Sequence, residues 1–157
     1  MSATITKVSG ESREYVTVKI AGQLFGLAID RIHDVFAPVN MTPVPLAQRE
    51  IAGVLNLRGR IVTAIDMRRR LGLPDRDDAG TSMAVGIDAN GESFGLIVDN
   101  VGEVMRLALA ELESAPANLD KTWSGLAAGI YRLEGQLLVI LDVDRVLRLG
   151  GEASAAA

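Results

Sequence analysis

The chain of 157 residues carries few side chains in catalytic spacing. It has one histidine, His33, and no cysteine. Without thiols there is no thiol nucleophile, no thiolate metal site and no disulfide, which accords with a reducing compartment. Zinc needs several His or Cys ligands, and the composition does not supply them. A Ser-His-Asp arrangement through His33 stays open, but no Gly-x-Ser-x-Gly elbow occurs, and a structural or contact role for His33 is favoured. Asp75, Asp77 and Gly80 begin like a calcium loop, yet Gly86 stands at the twelfth position, where a bidentate Glu is required. Neither a Gly-x-x-x-x-Gly-Lys loop nor a Gly-x-Gly-x-x-Gly loop is present to cradle phosphates. Asp142 and Asp144 read as a helix start rather than an acid-base pair. These residues point away from an enzyme and imply no metal and no cofactor.

Five arginines, Arg58, Arg60, Arg68, Arg69 and Arg70, sit within 13 residues. A nucleic-acid surface is one reading of them. Against that reading, the net charge is −4, and one Trp, two Tyr and three Phe offer no interleaved platform for stacking bases. Arg68 to Arg70 read as a solvated helix face. Arg58 differs, because it falls in a tight turn between two apolar runs.

The elements that position these residues are mostly strands. Tyr15 to Ile20 is β-branched and aromatic, and Ala21-Gly22 turns it into Gln23 to Ala28. Met83 to Ile87 and Ser93 to Val98 flank Asp88-Ala89-Asn90-Gly91, whose Asn-Gly favours a hairpin. Leu55 to Leu57 and Ile61 to Ile65 flank Arg58-Gly59-Arg60, and Ile130 to Leu133 and Gln136 to Leu141 flank Glu134-Gly135. Short helices are expected at Ala47 to Ile51, Asp66 to Leu71 and Asp142 to Leu149, the last capped by Asp142. No stretch reaches the roughly 20 apolar residues of a membrane span, and the start of the chain, Met1 to Glu14, lacks an apolar export core. The expected location is the cytoplasm.

An internal repeat organises the chain. Phe25 to Phe36 aligns with Phe94 to Met105, sharing Phe, Gly, Leu, Asp and Val in register. Gly53 to Asp66 aligns with Gly129 to Asp142, in the same order along the chain. Many short strands with Gly turns imply an all-β fold of small barrels or a sandwich. Each half is too small for an ample core of its own, so the halves are expected to pack through an apolar seam. The expected division is a first barrel over 13–80 and a second over 81–150, with a polar linker at Gly72 to Ser82 and flexible ends at 1–12 and 151–157. Within the repeat, Arg58 is matched by Glu134 and Asn56 by Arg132. Residues that build both halves should recur, whereas residues that serve a one-sided contact should not. Arg58 and Asn56 are therefore candidates for a partner site, with drift at a surface turn equally open.

At these residues the sequence resembles a known family. Ile51-Ala52-Gly53-Val54-Leu55-Asn56-Leu57-Arg58-Gly59-Arg60-Ile61, leading to Ile65-Asp66-Met67-Arg68, closely resembles the signature of the CheW-like family. The Asn-Leu-Arg-Gly turn is its specific core, and the resemblance spans about residues 13 to 150 in order. It suits stand-alone coupling members better than the matching module within the kinase CheA. The resemblance implies two five-stranded SH3-like β-barrels with an apolar groove between them and a few short helices, in one CheW-like domain. It implies a non-catalytic adaptor linking the cytoplasmic tips of methyl-accepting chemoreceptors to the histidine kinase CheA. That adaptor would be cytoplasmic and recruited to membrane-associated arrays, without nucleic acid or membrane insertion. Arg58 matches the family arginine implicated in receptor contact, within the turn that also holds Asn56 and Gly59. Ile32 and Asp34 match an apolar and an acidic receptor-contact position, and Met83 and Val101 fall near the same groove. The kinase-contact face is not located. Thr63 departs from the family, standing where proline is frequent. Two other readings remain: the same scaffold serving an output other than swimming, and, remotely, a small-barrel nucleic-acid-binding protein.

Overall fold

The computed structural model describes residues 11–75, 82–119 and 121–148. Among the described residues, ten strands follow the turn chemistry of the sequence. They are β1 (Ser12–Ile20), β2 (Gln23–Ala28), β3 (Ile32–Phe36), β4 (Ile51–Leu57), β5 (Arg60–Asp66), β6 (Met83–Ala89), β7 (Glu92–Val98), β8 (Asn100–Ala108), β9 (Ala127–Leu133) and β10 (Gln136–Leu141). Three short helices join them: α1 (Met67–Arg70), α2 (Lys121–Leu126) and α3 (Val143–Val146). Asp66 caps α1 by accepting the Arg68 and Arg69 amides, and Asp142 caps α3 by accepting the Arg145 amide. The helix expected at Ala47 to Ile51 does not form. Its residues make turns that end in the first residue of β4, consistent with the prolines just before them. Helix α2 was not expected. No helix among the described residues is long and apolar enough to cross a membrane.

The strands form two five-stranded sheets, in the orders β8-β1-β2-β10-β9 and β3-β6-β7-β5-β4. Aligning the orders matches β1 with β6, β2 with β7, β3 with β8, β4 with β9 and β5 with β10, and the last four are the pairs the sequence repeat aligns. Each sheet contains one parallel contact at the corresponding place, β10 with β2 and β5 with β7. The expected division of the chain is nevertheless corrected. Strands β1 and β2 belong with β8 to β10, and β3 to β5 belong with β6 and β7, so the barrels are not 13–80 and 81–150. Each repeat gives two strands to one barrel and three to the other. The chain crosses between barrels at the 3-10 turn Ile29–Arg31 and again at Asp99. Most of the expected linker lies outside the described residues, as do the extreme ends, while Ser12 already belongs to β1.

The exchange follows from burial. A barrel of five short strands encloses little apolar volume, so the remaining apolar faces must meet each other. They do so in one large core, where Val18, Ile20, Phe25 and Leu27 of one barrel pack with Ile65, Met67, Val85 and Leu96 of the other. Small satellite cores fill the barrel interiors. One holds Phe36, Leu55, Val62, Ala64 and Ala84, and the other holds Tyr15, Tyr131, Leu138 and Ile140. In the second, the two phenol oxygens lie 3.2 Å apart and the rings meet edge to face. Burial and its tyrosine partner raise the Tyr131 hydroxyl above its ordinary value, so it stays protonated. The apolar seam is thus filled by core. Ile32, Met83 and Val101 each pack half-buried against it, which places them at its margin.

Polar bonds staple the same junction. Trp123 on α2 donates its indole N–H to the Leu71 carbonyl at 3.1 Å and packs on Phe25. Arg70 at the end of α1 donates to the Arg145 and Val146 carbonyls in the last turn of α3 and to the Arg148 carbonyl just beyond it. Asp99 accepts from Arg68 at 2.6 Å and from the Ala21 amide at 2.8 Å. The reading of Arg68 to Arg70 as a solvated face is therefore corrected, since all three are half-buried and bonded within the chain.

Because the main core belongs to both barrels, Ile65→Ala is expected to cost about 2–5 kcal/mol. Urea unfolding followed by Trp123 fluorescence and by far-UV circular dichroism should give one coincident transition in wild type and variant.

Candidate functional site

The β4–β5 turn holds Arg58 in a demanding conformation. Arg58 and Gly59 have φ of 53° and 82°, the paired positive values of a type I′ hairpin turn. Glycine accepts such a value freely, whereas a side-chain-bearing residue adopts it at a cost of order 1 kcal/mol. Asn56 offsets that cost by accepting the Gly59 amide on its Oδ1 at 2.9 Å. The turn holds the Arg58 side chain 70% exposed.

Arg58 is aimed by one bond. Its Nη1 donates to Asp34 Oδ2 at 3.0 Å, and the Asp34 side chain is only 22% exposed. Asp34 sits on β3, opposite Gly86 on β6. A Cβ on Gly86 would fall 2.2 Å from Asp34 Oδ1, so the missing side chain makes the space this carboxylate occupies.

Around them opens a cavity of about 200 Å³ at the mouth of the β3–β7 barrel. Its apolar lining includes Phe36, Leu57, Val62, Ile87 and Phe94. Its rim is a chain of charges. Arg60 Nη2 donates to Asp88 Oδ1 at 3.1 Å and also contacts the Ser93 hydroxyl, which itself donates to Asp88 Oδ1 at 3.0 Å. His33 stands between the two carboxylates, with Nδ1 3.8 Å from Asp34 Oδ1 and Nε2 3.9 Å from Asp88 Oδ2. The Ser93 hydroxyl, with help from the Arg60 charge, holds the Asp88 carboxyl below its ordinary value. This order does not match a nucleophile relay. In a relay the imidazole must touch the serine, whereas here Asp88 lies between Ser93 and His33.

The structure brings Arg58, Asn56, Gly59 and Asp34 together at this mouth. Ile32 begins the strand that carries Asp34 and packs against the seam core. Met83 begins β6 and lies at the seam margin, outside the cavity lining. Val101 lines a different opening, a cavity of about 490 Å³ at the mouth of the other barrel. That opening is the repeat counterpart of the first, with Lys19, Leu24, Glu103 and Gln136 where the first has Asp88, Ser93, Asp34 and Arg60. The rim partners Arg60, Asp88, Ser93 and His33 were not singled out from sequence as one group. The signal was the Asn90-Gly91 hairpin, whose register sets Asp88 opposite Ser93.

The family model for the CheW-like domain matches residues 14–150. The chain is 29% identical over 140 residues to "Chemotaxis protein CheW" of Bacillus subtilis, covering 89% of this chain and 90% of that protein. It is 28% identical over 134 residues to the Thermotoga maritima protein of the same name, covering 85% and 87%. Among solved structures it is similar to the scaffolding protein TtCheW from Thermoanaerobacter tengcongensis, with a TM-score of 0.79 and 28% identity over 90% of this chain and 91% of that one.

Gly86→Ala should test how the site is built. The variant is expected to fold, because the clash is with the end of one side chain, and to lose about 1 kcal/mol or less. A crystal structure should find Asp34 rotated away and Arg58 out of hydrogen-bond reach of it. An Arg58–Asp34 contact kept in place would refute the account of Gly86. With the signature turn, the paired five-stranded sheets and the family match in agreement, the chain belongs to the CheW-like family.

Proposed function

We propose that this chain is a non-catalytic adaptor that couples methyl-accepting chemoreceptors to the histidine kinase CheA in chemosensory arrays. The observation that carries the reading is the β4–β5 turn. It holds a 70% exposed guanidinium at the lip of an apolar mouth and steadies it through Asp34, in a chain with the CheW-like fold. The names of the similar proteins, "Chemotaxis protein CheW" and "scaffolding protein", support the same reading.

Receptor docking in this proposal uses a helical hairpin at the receptor tip. Ile32, Met83 and Val101 give it apolar contact at the seam margin, in the manner of a helix laid against an apolar surface. Arg58 and Asp34 fix its register through charge, and Asn56 and Gly59 hold the turn that presents Arg58. The kinase takes a separate face, through its own module of the same fold. The adaptor acts in the cytoplasm and reaches the membrane only through the receptors. A nucleic-acid surface finds little support, because Arg68, Arg69 and Arg70 are committed to internal partners.

The test is a three-component assembly of this chain with a receptor cytoplasmic fragment and CheA. Arg58→Glu is expected to weaken receptor binding about tenfold or more while leaving the fold and CheA binding intact. Receptor binding at wild-type strength by Arg58→Glu would remove Arg58 from the docking surface. Failure of the wild-type chain to bind either partner would overturn the functional reading.

A further inference from the structure

The only histidine of the chain stands between the two carboxylates that hold the rim arginines. The oxygens are divided between them. Asp34 gives Oδ2 to Arg58 and turns Oδ1 toward His33. Asp88 gives Oδ1 to Arg60 and Ser93 and turns Oδ2 toward His33. A neutral imidazole has one N–H and one lone pair, so it can satisfy only one of these oxygens and sets its lone pair against the other. A protonated imidazole carries an N–H on each side and attracts both carboxylates across gaps of 3.8 and 3.9 Å, joining the rim into one chain of charges, Arg58–Asp34–His33–Asp88–Arg60.

We infer that His33 is a proton-operated element of this docking mouth, which on protonation bridges Asp34 and Asp88 and gives the rim a net positive charge. The charge count is simple. The charged groups facing His33 are Asp34 on its own strand and Asp88 on β6, backed by Arg58 on the β4–β5 turn and Arg60 on β5, with the neutral Ser93 on β7. The two arginines cancel the two carboxylates, so the proton on His33 decides the sign. Imidazole is the side chain that ordinarily changes charge between about pH 5 and 8, and His33 is half-exposed, so the proton can reach it. A partner that meets Arg58 with a carboxylate is then held more tightly as the pH falls. Because the rim is open to solvent, the gain is modest. This part rests on the receptor-docking reading above.

The experiment has two arms. In the free chain, carbon-detected NMR should find the Asp34 and Asp88 carboxyl carbons shifting with the same midpoint as the His33 ring. Carboxyl signals that ignore the His33 midpoint would overturn the bridge. In the second arm, calorimetry measures a receptor cytoplasmic fragment binding at about pH 6 and about pH 8. Wild type is expected to bind about two- to fivefold more tightly at the lower pH. His33→Gln should abolish the difference beyond what the receptor fragment itself contributes, and His33→Lys should hold the tighter value at both. An unchanged pH dependence in His33→Gln would refute the inference. If the fragment binds at neither pH, the receptor reading fails and the carboxyl titrations alone decide the role of His33.

Discussion

The structure depends on one constraint: neither five-stranded barrel is large enough to bury its own apolar residues. The satellite interiors account for only a handful of side chains each, whereas the shared core draws Phe25 and Leu27 from one barrel and Met67 and Leu96 from the other. Burial of apolar area is the main driving force, so the barrels are joined by the same term that folds them. The strand exchange makes that union topological as well. No cut between the sequence repeats separates the barrels, because each contains strands from both.

The site is a local departure from this economy. A left-handed arginine, a carboxylate seated where a glycine lacks a side chain, and an open mouth lined by Phe36 and Phe94 all forgo stability that a better-filled barrel would have. The other barrel makes the contrast visible. There Tyr15 and Tyr131 occupy the positions of Ala84 and Leu55, and the equivalent turn carries Glu134 without the positive φ of Arg58. The repeat has kept its scaffold and let its two mouths diverge in charge.

Much of this was legible in the sequence. The hairpin turns, the Asp142 cap and the order of the repeats follow from local chemistry, because glycine at positive φ and aspartate at a helix start act over a few residues. The pairing of β2 with β10 and of β5 with β7 was not legible, since parallel contacts between distant segments leave no local mark. The same reason hid the fate of Arg68 to Arg70. A run of three arginines on a short helix reads as solvated, and only the fold brings Asp99 and the end of α3 against them. Arg58 and Asn56 stood out because they break the repeat. His33, Asp88 and Ser93 did not, because their relation exists only across strands.

The exchange of strands also bears on symmetry. A lone unit of β1 to β5 would have supplied two strands to one barrel and three to another, completing neither. Such a unit finds its complement in an identical chain, as a swapped pair with two equal mouths. Two such units within one chain make that pairing intramolecular and remove the need for symmetry. With the two units in one chain, the arginine at 58 on one lip need not be matched on the other, where Glu134 stands.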